Sequence, residues 1–204
     1  MRDSIWLLLA LAVGGYLIGS LSPAVFISRN MGGFDIRKRG SGNAGTTNML
    51  REMGWLPGVL TFVCDLAKGY VPTLIALRLS GYTAAYVTGG FVLLGHAFPI
   101  FLHFKGGKCV ATSAAVLMAI FPLPTLIATL LVIALMFLTR LVSLGTILGF
   151  TAFTVSTYFL PVPHPFVPYF ATLVTAFVIL RHWQNIIRLA HGEEKRLTIH
   201  SKKK

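Results

Sequence analysis

Apolar residues run in long blocks along nearly the whole chain, near positions 5–28, 55–79, 84–103, 109–121, 124–139, 143–160 and 166–187. A hydrocarbon core of roughly 30 Å needs about 20 helical residues. Every block except 109–121 meets that length or comes close. Pro122 and Pro124 cannot sit inside one continuous helix from 109 to 139, so that stretch divides into a short span and a longer one. The pattern predicts an all-α polytopic transmembrane bundle of seven spans, forming a single domain over residues 1–204.

Charge placement sets the orientation. Arg29, Arg37, Lys38, Arg39, Arg51, Lys105, Lys108, Arg140, Arg188, Lys195, Arg196 and Lys202 to Lys204 fall on one side of this seven-span arrangement. The other side keeps Arg2 and Arg78. By the positive-inside rule the N-terminus is then outside and the C-terminus cytoplasmic. Merging the fourth and fifth spans would separate Arg140 and the tail from the 37–39 cluster. The first block lacks a basic lead-in and a cleavage site, so it reads as a retained span and not a removed signal peptide.

Composition agrees with this. Of 204 residues 55% are hydrophobic and 12% charged, with a net charge of +12 and a mean hydropathy of +0.75. A soluble domain carries about twice that charged share. The basic charge lies at membrane boundaries, so nucleic acid is a poor explanation for it. Cys64 and Cys109 sit in or beside apolar runs and read as free thiols. The lysine tail reads as a topology and anionic-lipid anchor, or as a remnant. No span shows a clear small-xxx-small stripe, so a monomer is the default. No His, Cys or carboxylate spacing suggests a metal, and no cofactor is expected.

Four polar clusters interrupt the apolar pattern. The first is Gly40-Ser41-Gly42-Asn43-Ala44-Gly45-Thr46-Thr47-Asn48-Met49-Leu50-Arg51. Its glycines let backbone amides turn toward one point, its hydroxyls and amides add donors, and Arg51 adds a forked cation suited to phosphate oxygens. The second is Asp65 and Lys68, three apart on one helical face and favoured as a structural ion pair that orients the helix. The third runs from Gly95 and His96 to Lys105-Gly106-Gly107-Lys108-Cys109, where a Gly-Gly turn and two lysines open a helix as an anion site would. The fourth holds Arg181, His182, Trp183, Gln184, Asn185, Arg188, His191, Glu193 and Glu194. Its His182 and Asn185 lie one turn apart, and either glutamate can fold back after Gly192. His182 suits a base or a hydrogen-bonding role. His164, His191 and His200 carry no case beyond a structural one. These clusters point to anionic head groups held at a membrane surface.

Taken in order, GSGNAGTTNMLR (40–51), GHAFPIFLHFKGGKCVAT (95–112) and RHWQNIIRLAHGEEK (181–195) resemble the bacterial acyl-phosphate-dependent glycerol-3-phosphate acyltransferases, the PlsY family. DLAKG (65–69) and SLGT (143–146) resemble its pattern as well. The resemblance spans essentially the whole chain. It implies that acyl phosphate and sn-glycerol 3-phosphate give lysophosphatidate and inorganic phosphate at the cytoplasmic side of the bacterial inner membrane, in phospholipid synthesis. It also implies no direct use of acyl-CoA or acyl carrier protein. Ser41, Asn43, Gly45, Thr46 and Thr47 are expected to cradle a phosphate, with Gly42, Asn48 and Lys105 beside them. Arg51 and Lys108 are expected to clamp the phosphate of glycerol 3-phosphate, with the Gly106-Gly107 backbone close to it. His182 and Asn185 are expected to orient the acceptor hydroxyl or the acyl carbonyl, and Glu193 to fix the last helix. Ser143 and Thr146 are lesser candidates. Either His182 or the donor's own phosphate serves as base. A covalent route through Ser41 or Cys109 is disfavoured, because neither has a base adjacent in sequence. The rival reading is a small transporter of phosphorylated metabolites, since broken helices and basic pockets also serve anion transport.

Overall fold

The computed structural model describes residues 4–197. Arg2, His200 and the lysines 202–204 lie outside the described residues. Within them the chain is all-helical, with no strand.

Helix α1 (Ile5–Ser20) stops at Leu21-Ser22, and α2 (Pro23–Gly32) restarts with proline in its first turn, where the missing amide costs nothing. Gly33 ends α2 in the left-handed region, φ 70°. An irregular loop leads to α3 (Thr46–Met53) and then to α4 (Trp55–Ala97). Gly81 breaks α4 with φ 79° and ψ −164°, a conformation open to glycine. The two arms, 55–80 and 82–97, double back on each other. Gly89 of the second arm packs on the Thr73 side chain of the first, and His96 comes beside Asp65. The expected spans 55–79 and 84–103 therefore correspond to two helical arms that reverse on each other at a glycine.

After a short 3-10 turn at Ile100–Leu102 come α5 (Val110–Ile120), α6 (Pro122–Thr139) and α7 (Val142–Ser156). Then follow α8 (Val167–Arg181) and α9 (Trp183–Ala190), bent from each other by 62°. As expected from Pro122 and Pro124, α5 and α6 are separate helices. Among the described residues, three stretches are long and apolar enough to cross a membrane: 5–32, 55–102 and 122–139. The bent α8–α9 pair makes a fourth. The blocks 109–121 and 143–160 form the shorter apolar helices α5 and α7.

Between apolar surroundings, helices associate through close backbone approach and hydrogen bonds. Gly15 and Gly19 of α1 press on the backbone of Thr88 and Val92 in the second arm of α4. This is a small-xxx-small stripe that the sequence reading did not pick out, and it is used inside the chain. Gly69 packs on α5, where an added Cβ would lie 2.6 Å from the Thr112 carbonyl oxygen. Thr154 of α7 meets Thr175 of α8 at 2.7 Å. Helix α6 turns Leu123, Ile127, Phe137 and Leu138 outward, each at least 60% exposed, a surface suited to lipid and not to water. A second, smaller core of Ala24, Val25, Ile36, Ala44, Met49 and Leu102 anchors the 33–51 loop.

Candidate active site

A cavity of about 990 Å³ opens at the 40–51 loop and runs between the first arm of α4, α5, α6 and α7. Its mouth is polar: Ser41, Thr46, Arg51, Lys108, His182, Asn185 and Arg188. Its depth is apolar: Phe62, Leu66, Ala128, Val132, Phe150 and Phe153. A cavity so divided suits an amphiphile whose head group is anionic.

The loop takes its shape from Gly40 (φ 59°) and Gly42 (φ 72°) and from one buried side chain. Asn48 donates through Nδ2 to the carbonyls of Ile36, Arg39 and Asn43 at 3.0–3.2 Å. Its Oδ1 accepts from the Ser41 amide at 3.0 Å. Asn48 is thus the internal brace of the loop, and the expectation that it donates to a phosphate is corrected: its amide is fully engaged. Gly45, the residue before helix α3, has no side chain to cap it, so the Thr46 and Thr47 amides take no partner among the described residues. Thr46 Oγ1 and Arg51 Nε are also buried without a partner. Unsatisfied donors converging on a cavity at a helix start have the chemistry to take an anion.

Arg51 faces this site from the end of α3. Its Nη2 donates to the carbonyls of Lys195 and Arg196, at 2.9 and 3.1 Å, which brings the C-terminal segment across the mouth. Burial lowers its pKa, and Glu194 opposes that shift. Lys108 Nζ hydrogen-bonds Asn185 Oδ1. Burial pulls its ammonium down to about 8, against the attraction of Glu194. Lys105, expected beside it, is exposed and stands outside the cavity lining.

The Gly106-Gly107 turn is bonded within the fold. Its amides donate to the carbonyls of Ala97 and His96, at 3.2 and 3.1 Å, so neither is free for a phosphate. Both residues are glycine because the turn lies against the end of α4. A Cβ on Gly107 would run into the His96 ring and come within 2.9 Å of the Ala44 carbonyl oxygen. The turn shapes the site without donating to it.

The α8–α9 bend puts His182 in the cavity wall, 3% exposed. Its Nδ1 lies 2.8 Å from the Val178 carbonyl oxygen. A carbonyl can only accept, so Nδ1 carries the proton and Nε2 keeps a lone pair. Asn185 donates to Glu194 Oε1 at 2.6 Å, and Ser143 donates to the same oxygen at 2.7 Å. Arg188 Nε donates to Oε2 at 2.9 Å. Glu194, and not Glu193, therefore fixes the last helix: Glu193 is exposed, and the chain beyond Gly192 (φ 71°) turns Glu194 inward. Burial raises the Glu194 carboxyl, but the hydrogen bonds from Asn185, Ser143 and Arg188 outweigh burial and leave it lowered. Thr146 lines the cavity, its hydroxyl bonded to the Val142 carbonyl at 2.8 Å.

Two participants had no assigned role in the sequence reading. Arg181 donates to the Gly107 carbonyl through Nε and Nη2, at 3.3 and 3.1 Å. Arg188 binds Glu194. The only sequence signal for either was its place in the 181–195 cluster. Asp65 and Lys68 pair at 2.9 Å, deep and nearly sealed from solvent, as the i,i+3 spacing predicted.

Comparison with known proteins covers the same ground. A family model described as glycerol-3-phosphate acyltransferase matches residues 9–192. The glycerol-3-phosphate acyltransferase of Thermoanaerobacter sp. (strain X514) is 38% identical over 187 residues, covering 91% of this chain and 93% of that protein. The glycerol-3-phosphate acyltransferase 2 of Moorella thermoacetica is 40% identical over 190 residues, 93% of this chain and 97% of that one. Among solved structures, the glycerol 3-phosphate form of PlsY (YgiH), an integral membrane glycerol 3-phosphate acyltransferase, superposes with a TM-score of 0.88 at 36% identity. It covers 94% of this chain and 96% of its own. The lysophosphatidic acid form superposes with a TM-score of 0.85 at 35% identity, covering 93% and 94%.

Proposed function

The chain belongs to the PlsY family of glycerol-3-phosphate acyltransferases, and from that premise we propose that it moves an acyl group from acyl phosphate to the sn-1 hydroxyl of glycerol 3-phosphate. The products are lysophosphatidate and inorganic phosphate. The observation that carries this reading is the division of the cavity. Unsatisfied donors and cations gather at its mouth, and apolar walls between α4, α5, α6 and α7 extend from it.

Acyl phosphate is a mixed anhydride with a good leaving group, so the protein's work is to hold two anionic head groups together and stabilise charge as it develops. Arg51 and Lys108 clamp the phosphate of glycerol 3-phosphate. The Thr46 and Thr47 amides, Thr46 Oγ1, Ser41 and Asn43 receive the second phosphate. Asn185 exchanges its bond to Lys108 for one to substrate. The acceptor oxygen attacks the acyl carbon, the carbon–oxygen bond to phosphate breaks, and phosphate departs. Nε2 of His182, with its lone pair unengaged, accepts a hydrogen bond from the attacking hydroxyl. The hydroxyl proton passes to that nitrogen or to the leaving phosphate.

The protein is a multi-pass helical membrane protein. We place the 40–51 loop, the 103–109 turn and the α9 end at the cytoplasmic face of the bacterial inner membrane, with the N-terminus outside and seven spans. The reversal at Gly81 and the short, tightly packed α5 and α7 support that number. A cavity lined by residues of a single chain supports monomeric action. Purified protein in lipid, given acyl phosphate and labelled glycerol 3-phosphate, is expected to release lysophosphatidate and phosphate in equal amounts, and Arg51→Ala to lose both. No product from folded protein, with uptake of label into sealed vesicles lacking acyl donor, would replace this reading with a transporter.

A further inference from the structure

The first arm of α4 carries a buried group in the cavity lining that the reaction above does not use. Asp65 is 2% exposed and pairs with Lys68, whose Nζ also donates to the Leu21 carbonyl at 2.7 Å. Asp65 Oδ1 lies 3.5 Å from His96 Nδ1, which is also 3.2 Å from Thr112 Oγ1. The His96 ring is therefore fixed between α4 and α5. The same residue touches the Gly106-Gly107 turn twice: its carbonyl accepts the Gly107 amide at 3.1 Å, and its Nε2 edge lies where a Gly107 side chain would be. Arg181 donates to the Gly107 carbonyl. On the other flank of Lys108, Cys109 sits in the left-handed region at φ 65°, with its thiol directed at the Leu93 carbonyl. The backbone bearing Lys108 is thus gripped at both neighbours, and one grip leads back to Asp65.

We propose that Asp65, acting through His96, is a positioning residue for Lys108. The pair sets the Gly106-Gly107 turn, and the turn aims the ammonium at the phosphate of glycerol 3-phosphate. A buried ion pair within a membrane-spanning helix is costly to keep, and its connection to the turn gives it a use beyond orienting α4. This rests on the reading that Lys108 holds that phosphate.

The test compares full-length protein in lipid carrying Asp65→Asn with Lys68→Met, so that neither partner leaves a lone buried charge, with His96→Asn and with all three changes together. The KM for glycerol 3-phosphate is expected to rise about tenfold, as for lost outer partners of a binding ligand. The KM for acyl phosphate and kcat stay near wild type. The three changes together match His96→Asn alone, because both act along one chain of contacts. An unchanged KM for glycerol 3-phosphate in folded Asp65→Asn/Lys68→Met protein overturns the proposal, as do effects that add. If that protein does not fold, Thr112→Val reads the same path, since it removes a hydroxyl from His96 Nδ1 and leaves no charge. A raised KM upholds the proposal and an unchanged one overturns it. Wild-type protein that makes no lysophosphatidate would instead sink the acyltransferase reading, and this proposal with it.

Discussion

Raising the pH through the range in which Lys108 discharges should weaken acceptor capture. Burial beside Arg188, Arg181 and Arg51 brings its pKa down to about 8, with Glu194 pulling the other way. A lysine at that value is about nine-tenths charged near pH 7 and about one-tenth charged near pH 9. If the charged form binds the phosphate, kcat/KM for glycerol 3-phosphate falls about ninefold over that interval. A phosphate monoester gains its second charge near pH 6, so the full profile should be bell-shaped, with limbs near 6 and 8. The assay is initial rate against glycerol 3-phosphate at saturating acyl phosphate in lipid, corrected at each pH for spontaneous donor hydrolysis. Bound dianion stabilises the ammonium, so the alkaline limb of kcat lies above that of kcat/KM. Lys108→Arg should lower activity, because a planar fork replaces a point charge, yet it should remove the alkaline limb. A wild-type kcat/KM flat across the alkaline range, or an identical limb in Lys108→Arg, would refute the assignment to Lys108.

Gly107→Ala should lower kcat/KM about a hundredfold, as for a misplaced catalytic group, because its Cβ collides with the His96 ring and the Ala44 carbonyl; steady-state rates on folded protein check this. Glu194→Gln should destabilise the protein by about 2–3 kcal/mol through the weakened bonds to Arg188, Asn185 and Ser143, while Glu193→Gln leaves the melting temperature unchanged; thermal unfolding of the two side by side decides. His182→Gln should abolish most turnover if Nε2 takes the proton, and near-wild-type turnover across pH would leave proton transfer to the substrate phosphate. Ala128→Phe, placed in the apolar depth of the cavity, should raise KM for long acyl phosphates more than for short ones, read from a chain-length series.

Particular residues show how far the sequence could be read. The α5–α6 division was legible at Pro122 because proline removes a donor wherever it stands. The Asp65–Lys68 pair was legible because three residues on a helix share a face. The apolar blocks separated 55–79 from 84–103 but did not reveal that the reversal between the two arms rests on Gly81, since hydropathy is blind to a single φ. Nor did they single out Gly15 and Gly19, whose role exists only against the backbone of Thr88 and Val92. Asn48 has the residue type of a phosphate donor, but its side-chain amide braces the loop. Residue type says that an amide can donate, and only the fold says to what.

The same division holds for the whole protein. Its sequence by itself determined the membrane setting, the helical class and the basic, donor-rich character of its loops, because these depend on transfer of side chains out of water and on local spacing. The tertiary structure decided which donors remain free for a ligand. It engaged Asn48 and the Gly-Gly amides internally, turned Glu194 inward in place of Glu193, and left Thr46, Arg51 Nε and His182 Nε2 open. Free donors are what remains after every long-range hydrogen bond is made. Partners such as Arg181 and Gly107 are 74 positions apart in the chain, beyond the reach of any local pattern.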